Sequence, residues 1–182
     1  PGDRPSLERI EQLLQDIVSE THLVMKMNSV MLGAGEGLEA HASFVGLVLT
    51  PHGEAVWGHV GDSRLYHFHE GKCKLRSSDA AYVQHLMSSD RLPEDAAKNH
   101  RKSKLLLNVM GNSRKEPFVS IGSHTGLAPG DVFLLASDGL WHFFTDAELA
   151  AATSRATPRQ ASEMLINKAQ ERWQGKGGNC SM

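Results

Sequence analysis

Excess charge of one sign, long apolar runs and paired cysteines are all scarce in this sequence, and each scarcity closes a class of function. Nineteen Lys and Arg stand against 21 Asp and Glu, a formal net charge of −2, so there is no basic field to hold nucleic acid or an anionic membrane. An anionic substrate has to be met by local groups. No run of 18 apolar residues occurs, which argues against a membrane-spanning helix. The opening PGDRPSLERI lacks the basic-then-apolar pattern of a secretory signal, so a cytoplasmic setting is expected. The two cysteines, Cys73 and Cys180, are far apart and outside any C-x-x-C spacing, so neither a disulfide scaffold nor a zinc knuckle is indicated. A reducing compartment fits this usage.

What is present suits a single domain spanning 1–182. Its 182 residues, 40% hydrophobic and 22% charged, are enough to bury a core. From Ser6 to about Met31 the apolar residues Leu7, Ile10, Leu14, Ile17, Val24 and Met31 follow the 3.6-residue period of an amphipathic helix. Ser6 is placed to cap it and Glu8 to meet its N-terminal dipole. Short apolar runs follow, broken by turn signals at Pro51-His52-Gly53 and Glu70-Gly71. Loops this short imply antiparallel neighbours, and a meander of about four strands is expected. Ala80–Met87 and Pro93–Asn99 read as short helices. Pro129-Gly130-Asp131 is a turn leading into a buried strand, Val132–Ala136. Two capping boxes, Thr145-x-x-Glu148 and Thr157-Pro158-x-Gln160, announce further helices. The order of elements is that of an α+β domain.

Two aspartates share a local grammar. Val60-Gly61-Asp62 and Ala136-Ser137-Asp138-Gly139 each place a carboxylate beside glycine at the end of an apolar strand. Carboxylates converging from strand ends suit hard divalent cations such as Mg²⁺ or Mn²⁺. Each aspartate can instead accept hydrogen bonds within its own turn, and Arg64 can neutralise Asp62 as a structural pair. His67-x-His69 would share one face of a strand and suit a metal, but a lone pair without a third ligand reads as a surface feature. Cys73, between Lys72 and Lys74, reads as an exposed hairpin thiol whose flanking charges would lower its pKa. Gly33 to Gly37 lacks the Lys-Ser/Thr of a phosphate loop. Neither Ser63 nor Ser137 sits in a nucleophile elbow. Trp141 follows the second aspartate closely enough to line a site mouth.

VGDSRLYHF, then YVQHL, LAPGDVFLLASDGLW, TDAEL and GGNCSM run in an order that resembles the metal-dependent serine/threonine protein phosphatases of the 2C type. The likeness extends from about Ser43 to Met182. It implies an α+β fold, a sandwich of two antiparallel β-sheets flanked by helices. It also implies hydrolysis of phosphoserine or phosphothreonine on proteins by a water shared between two Mn²⁺ or Mg²⁺ ions, with a third ion in some members. By that resemblance Asp138 is a ligand of the metal core and Asp62 a ligand of the accessory ion. Gly61, Ser137, Gly139 and Asn179 shape the site. A phosphoprotein substrate, a cognate serine/threonine kinase and a monomeric state come with it.

The departures are as informative. The acidic motif and the DG-x-GG motif of the family, which belong to its first strands, have no counterpart before Ser6. At its terminal DN pair this sequence reads Gly178-Asn179, so Gly178 stands at a lost ligand position. Two carboxylates leave a divalent ion mostly hydrated and weakly held, which makes activity of these residues alone doubtful. Three explanations stay open: a fragment or gapped copy of a larger enzyme, a pseudophosphatase that binds phosphoproteins or partners without hydrolysis, or an enzyme disabled by Gly178.

Overall fold

The computed structural model describes residues 5–33, 39–78, 80–89, 108–173 and 179–182. They fall into two compact units interleaved along the chain, one from residues 1–61 and 78–125, the other from 62–77 and 126–182. Among the described residues no helix is long and apolar enough to cross a membrane.

In the first unit, helix α1 (Leu7–Met31) begins at Ser6, whose hydroxyl accepts from the Arg9 amide at 3.3 Å. Ile10, Leu14, Val18 and His22 are buried at four-residue spacing, as the sequence period requires. They cover a sheet of order β1-β2-β5, built from β1 (Phe44–Thr50), β2 (Glu54–Val60) and β5 (Ser120–Thr125). β1 and β2 form a hairpin in the register Phe44↔Val60 to Thr50↔Glu54. β5 pairs along the other edge of β2, from Glu54↔Thr125 to His59↔Ser120. Every residue of β2 is buried, because a central strand covered on both faces has no wet side. Ile10, Leu14 and Val56 form one apolar cluster, and Val18, Val60 and Met110 another. His22 is fully buried; its Nδ1 accepts from the Gly111 amide at 3.0 Å and its Nε2 faces Glu116 at 3.2 Å. Helix α2 (Ala80–Ser88) sets Tyr82 and His85 against the Phe118 ring.

The second unit holds a sheet of order β4-β3-β6, from β3 (Arg64–His69), β4 (Lys72–Arg76) and β6 (Asp131–Ala136). Helices α3 (Asp138–Trp141), α4 (Asp146–Arg155) and α5 (Pro158–Trp173) follow β6. Tyr66, Phe68, Leu134, Ala136, Leu140, Leu149, Leu165 and Ala169 make its core. Both expected capping boxes are present. Thr145 Oγ1 accepts from Glu148 N at 3.2 Å while the Glu148 carboxylate accepts from Thr145 N at 2.8 Å. Thr157 and Gln160 repeat the exchange at 3.4 and 3.1 Å. Arg172 of α5 donates to Glu148 Oε1 at 2.5 Å and to the Phe143 carbonyl at 2.5 Å, tying α5 to the start of α4.

Several sequence expectations need correction. The meander is divided: β1 and β2 belong to one sheet, β3 and β4 to the other, each completed by a strand more than 40 residues downstream along the chain. β5 has no strong sequence signal, since SIGSHT is short and mostly polar. β6 starts at Asp131, inside the expected turn. His67 is no surface residue, being only 4% exposed. Cys73 is half-buried, and its thiol is held above the usual range chiefly by that burial rather than below it by its neighbours. The helix expected at Pro93–Asn99 and most of the Gly33–Gly37 cluster lie outside the described residues.

Candidate functional site

The β3–β6 ladder determines where the two aspartates lie. Its last pair is Arg64↔Ala136 in antiparallel register. Beyond this pair the ladder ends, so Asp62, just before β3, and Asp138, just after β6 at the start of α3, stand at the same end of the sheet, and both residues are exposed.

Each loop is shaped by a glycine with a different task. Gly61 has φ +86, and a Cβ there would approach Ser43 Cβ to 2.8 Å, so both the backbone sign and the space select glycine. Gly139 has no such backbone demand. A Cβ on it would overlap the Asn179 carbonyl oxygen, so its role is to let the C-terminal segment come close. That segment is held alongside: Ser137 N donates to the Ser181 carbonyl at 3.0 Å, and Ser181 N donates to Ser137 Oγ at 3.0 Å. The Ser137 hydroxyl is thereby engaged with Ser181 and does not cap α3.

Asp138 opens α3, and its Oδ1 accepts from the Gly139 amide at 2.9 Å. Trp141, one turn later, donates its indole N–H to the Asp62 carbonyl at 2.8 Å. This bond fastens the two aspartate loops together. The Arg64 guanidinium lies 3.2 Å from the centre of the Trp141 ring, a cation–π contact, and reaches the Tyr66 hydroxyl at 3.5 Å. Trp173 donates to the Gly139 carbonyl at 3.1 Å from behind.

Asp62, Asp138, Ser137, Gly139, Gly61 and Asn179 are therefore all placed around the end of β3 and β6. Gly178 lies outside the described residues. Ser181 and Trp173 were not singled out from sequence, and nothing in their local pattern marks them. Among the described residues, the two aspartates belong to no group of three His, Cys or acidic side chains with ligand atoms within 4.8 Å of one another. The donor set is all oxygen and solvent-facing. It suits a hard, partly hydrated divalent cation and not a soft one.

The comparisons with known proteins point the same way. The chain is 29% identical over 119 residues, 65% of its length, to a Streptococcus pyogenes protein assigned to the 2C phosphatase type, of which it covers 47%. It is 27% identical over 168 residues, 89% of its length, to the serine/threonine phosphatase stp of Listeria innocua, of which it covers 63%. Among solved structures, the serine/threonine phosphatase of S. agalactiae superposes with a TM-score of 0.69 at 22% identity, over 94% of this chain and 69% of that one. The chain is similar to protein phosphatases of the 2C type. No family model matches it.

It shares its fold, two antiparallel sheets with flanking helices, with the solved structures it matches. PppA of Pseudomonas aeruginosa superposes with a TM-score of 0.70 at 24% identity over 92% of this chain and 66% of its own. The catalytic domain of PstP, solved with two manganese ions, does so with a TM-score of 0.60 at 20% identity over 93% and 68%. The chain spans 47% and 63% of the lengths of the two curated relatives named above.

Proposed function

We propose that this chain is part of a metal-dependent phosphatase acting on phosphoserine and phosphothreonine in proteins. The observation that carries the reading is the antiparallel pairing of β3 with β6, which puts the residues carrying Asp62 and Asp138 at the same end of the sheet. Asp138 and Asp62 would hold Mn²⁺ or Mg²⁺. The chemistry such ions supply when bound is activation of a water and neutralisation of phosphoryl charge. Trp141 keeps the two loops at fixed separation through its bond to the Asp62 carbonyl. Ser137 and Gly139 seat residues 179–182 beside the turn that carries Asp138. With glycine at 178, two carboxylates supply the outer part of a cluster rather than two closed coordination shells.

The reading carries a phosphoprotein substrate, a cognate kinase as antagonist, a cytoplasmic setting and a monomer. Two cysteines without a disulfide support the reducing compartment. The test is Mn²⁺-dependent phosphate release from a chromogenic aryl phosphate by this chain, Asp138→Asn and Gly178→Asp. The expected order is Gly178→Asp fastest and Asp138→Asn slowest. Equal rates from all three would refute the assignment.

A further inference from the structure

Protonation has opposite consequences at two histidine sites of this fold. His67 Nε2 and His69 Nδ1 lie 2.8 and 2.9 Å from Asp131 Oδ1, and a charge on either ring strengthens that contact. His22 is built the other way. It lies on the buried face of α1 with no exposed surface, and its Nδ1 accepts from the Gly111 amide at 3.0 Å. A ring nitrogen that accepts carries no proton, so the ring is neutral and its proton sits on Nε2.

The turn that His22 holds is tight. Gly111 has φ +85, and a Cβ on it would overlap the Ala40 carbonyl oxygen and approach Met25 Cε to 2.9 Å. Met110 exchanges two backbone bonds with Ala42, at 2.9 and 3.2 Å. Asn108 donates to the Phe118 carbonyl at 2.8 Å and accepts from the Phe118 amide at 2.9 Å. Residues 108–118 thus form a loop tied at its base. Its tip is pinned to α1 by His22 and, at the surface, by Lys26 and Glu116, 3.4 Å apart.

We propose that His22 is a pH-sensitive latch, which releases the Gly111 turn from α1 when its ring takes up a second proton. In the imidazolium both nitrogens are donors, so Nδ1–H would face the Gly111 N–H donor to donor. In a buried site no water replaces the lost acceptor. Glu116 Oε2 lies 3.2 Å from Nε2, but it lacks hydrogen-bond alignment, is 73% exposed and is shared with Lys26, so solvent screens its pull on a charged ring. Arg114 and Lys115, exposed in the same turn, disfavour a further positive charge. Glu39 engages Ser113 of the turn, with His41 3.4 Å from its carboxylate. From the sheet side the neighbours Val18, Val60 and Met110 are apolar. The cost of burying the charge outweighs the attraction to Glu116, and opening the turn relieves it.

The experiment is amide hydrogen exchange by NMR on the whole chain from about pH 8 to about pH 5, the range in which histidine titrates, with His22→Asn and His41→Gln beside it. Asparagine keeps an acceptor for the Gly111 amide and takes up no proton. Corrected for the intrinsic effect of pH, protection of the Gly111 amide should fall at least about fivefold in the native chain and in His41→Gln, and stay level in His22→Asn. Level protection in the native chain, an equal loss in His22→Asn, or a level profile in His41→Gln overturns the proposal. Should His22→Asn fail to fold, the native ring decides. Long-range ¹H–¹⁵N spectra in which Nδ1 gains its proton in step with the loss of Gly111 protection support the latch; protonation without that loss, or loss without protonation, overturns it. The outcome is independent of the phosphatase reading.

Discussion

Replacing Gly139 by alanine tests the account of the aspartate loop because two effects oppose each other in sign. Gly139 lies within α3 and has no left-handed backbone, so on helix propensity alone alanine would stabilise the protein by up to about 1 kcal/mol. The structure predicts the reverse. The new methyl group would occupy the space of the Asn179 carbonyl, which is backbone and cannot step aside as a side chain would. Displacing residues 179–182 breaks the two 3.0 Å bonds between Ser137 and Ser181, each contributing about 1 kcal/mol. Partial exposure of these groups and the propensity gain leave a net destabilisation of up to about 1 kcal/mol. Urea unfolding followed by tryptophan fluorescence reads this as a fall in midpoint of up to roughly 0.5 M with an unchanged slope. Hydrogen exchange at the Ser181 amide should accelerate together with it. A midpoint that rises would show that the C-terminal segment does not press on Gly139, and the reasoning about this turn would be wrong.

Trp141→Phe keeps an aromatic ring for Arg64 but removes the donor to the Asp62 carbonyl; exposure lets water replace the bond, so stability should fall by less than about 1 kcal/mol. Mn²⁺ affinity should fall by about fivefold if the indole holds the loops together, and calorimetry giving native affinity would count against that role. The Glu148 carboxyl is held down to about 2, first by the Arg172 guanidinium and then by the Thr145 amide. A depressed carboxylate contributes stability above its unfolded value of 4.5 and loses it as pH falls toward about 2. The urea midpoint should therefore drop through that window in the native chain and less so in Glu148→Gln; parallel pH profiles would contradict the pairing of α4 and α5.

Much of the local structure was legible in the sequence. Ser6, Thr145 and Thr157 announced their helices because a cap and its partner lie three residues apart, within reach of one turn. Asp62 and Asp138 were visible as carboxylates at strand ends beside glycine. Other features were not legible. His67 looked like surface because a strand pattern does not say which face a sheet covers. Asp131 looked like turn chemistry because Pro-Gly-Asp is common in turns, and nothing local reveals that its side chain closes on two imidazoles. Gly139 looked like a turn glycine, yet its φ is ordinary and its necessity is steric, imposed by a carbonyl 40 residues away.

By itself the sequence determined helices α1, α4 and α5 and strands β1 to β4 and β6, because periodicity, capping and turn residues act within a few positions of each other. It also placed acidic groups at the ends of the right strands. Only the tertiary structure decided which strands share a sheet. The partner of β3 is β6, and that choice alone brings Asp62 and Asp138 to one end of the sheet and His67, His69 and Asp131 together at the other. Strand pairing over some 60 residues depends on the burial of whole sheet faces, a property that no local window of the chain contains.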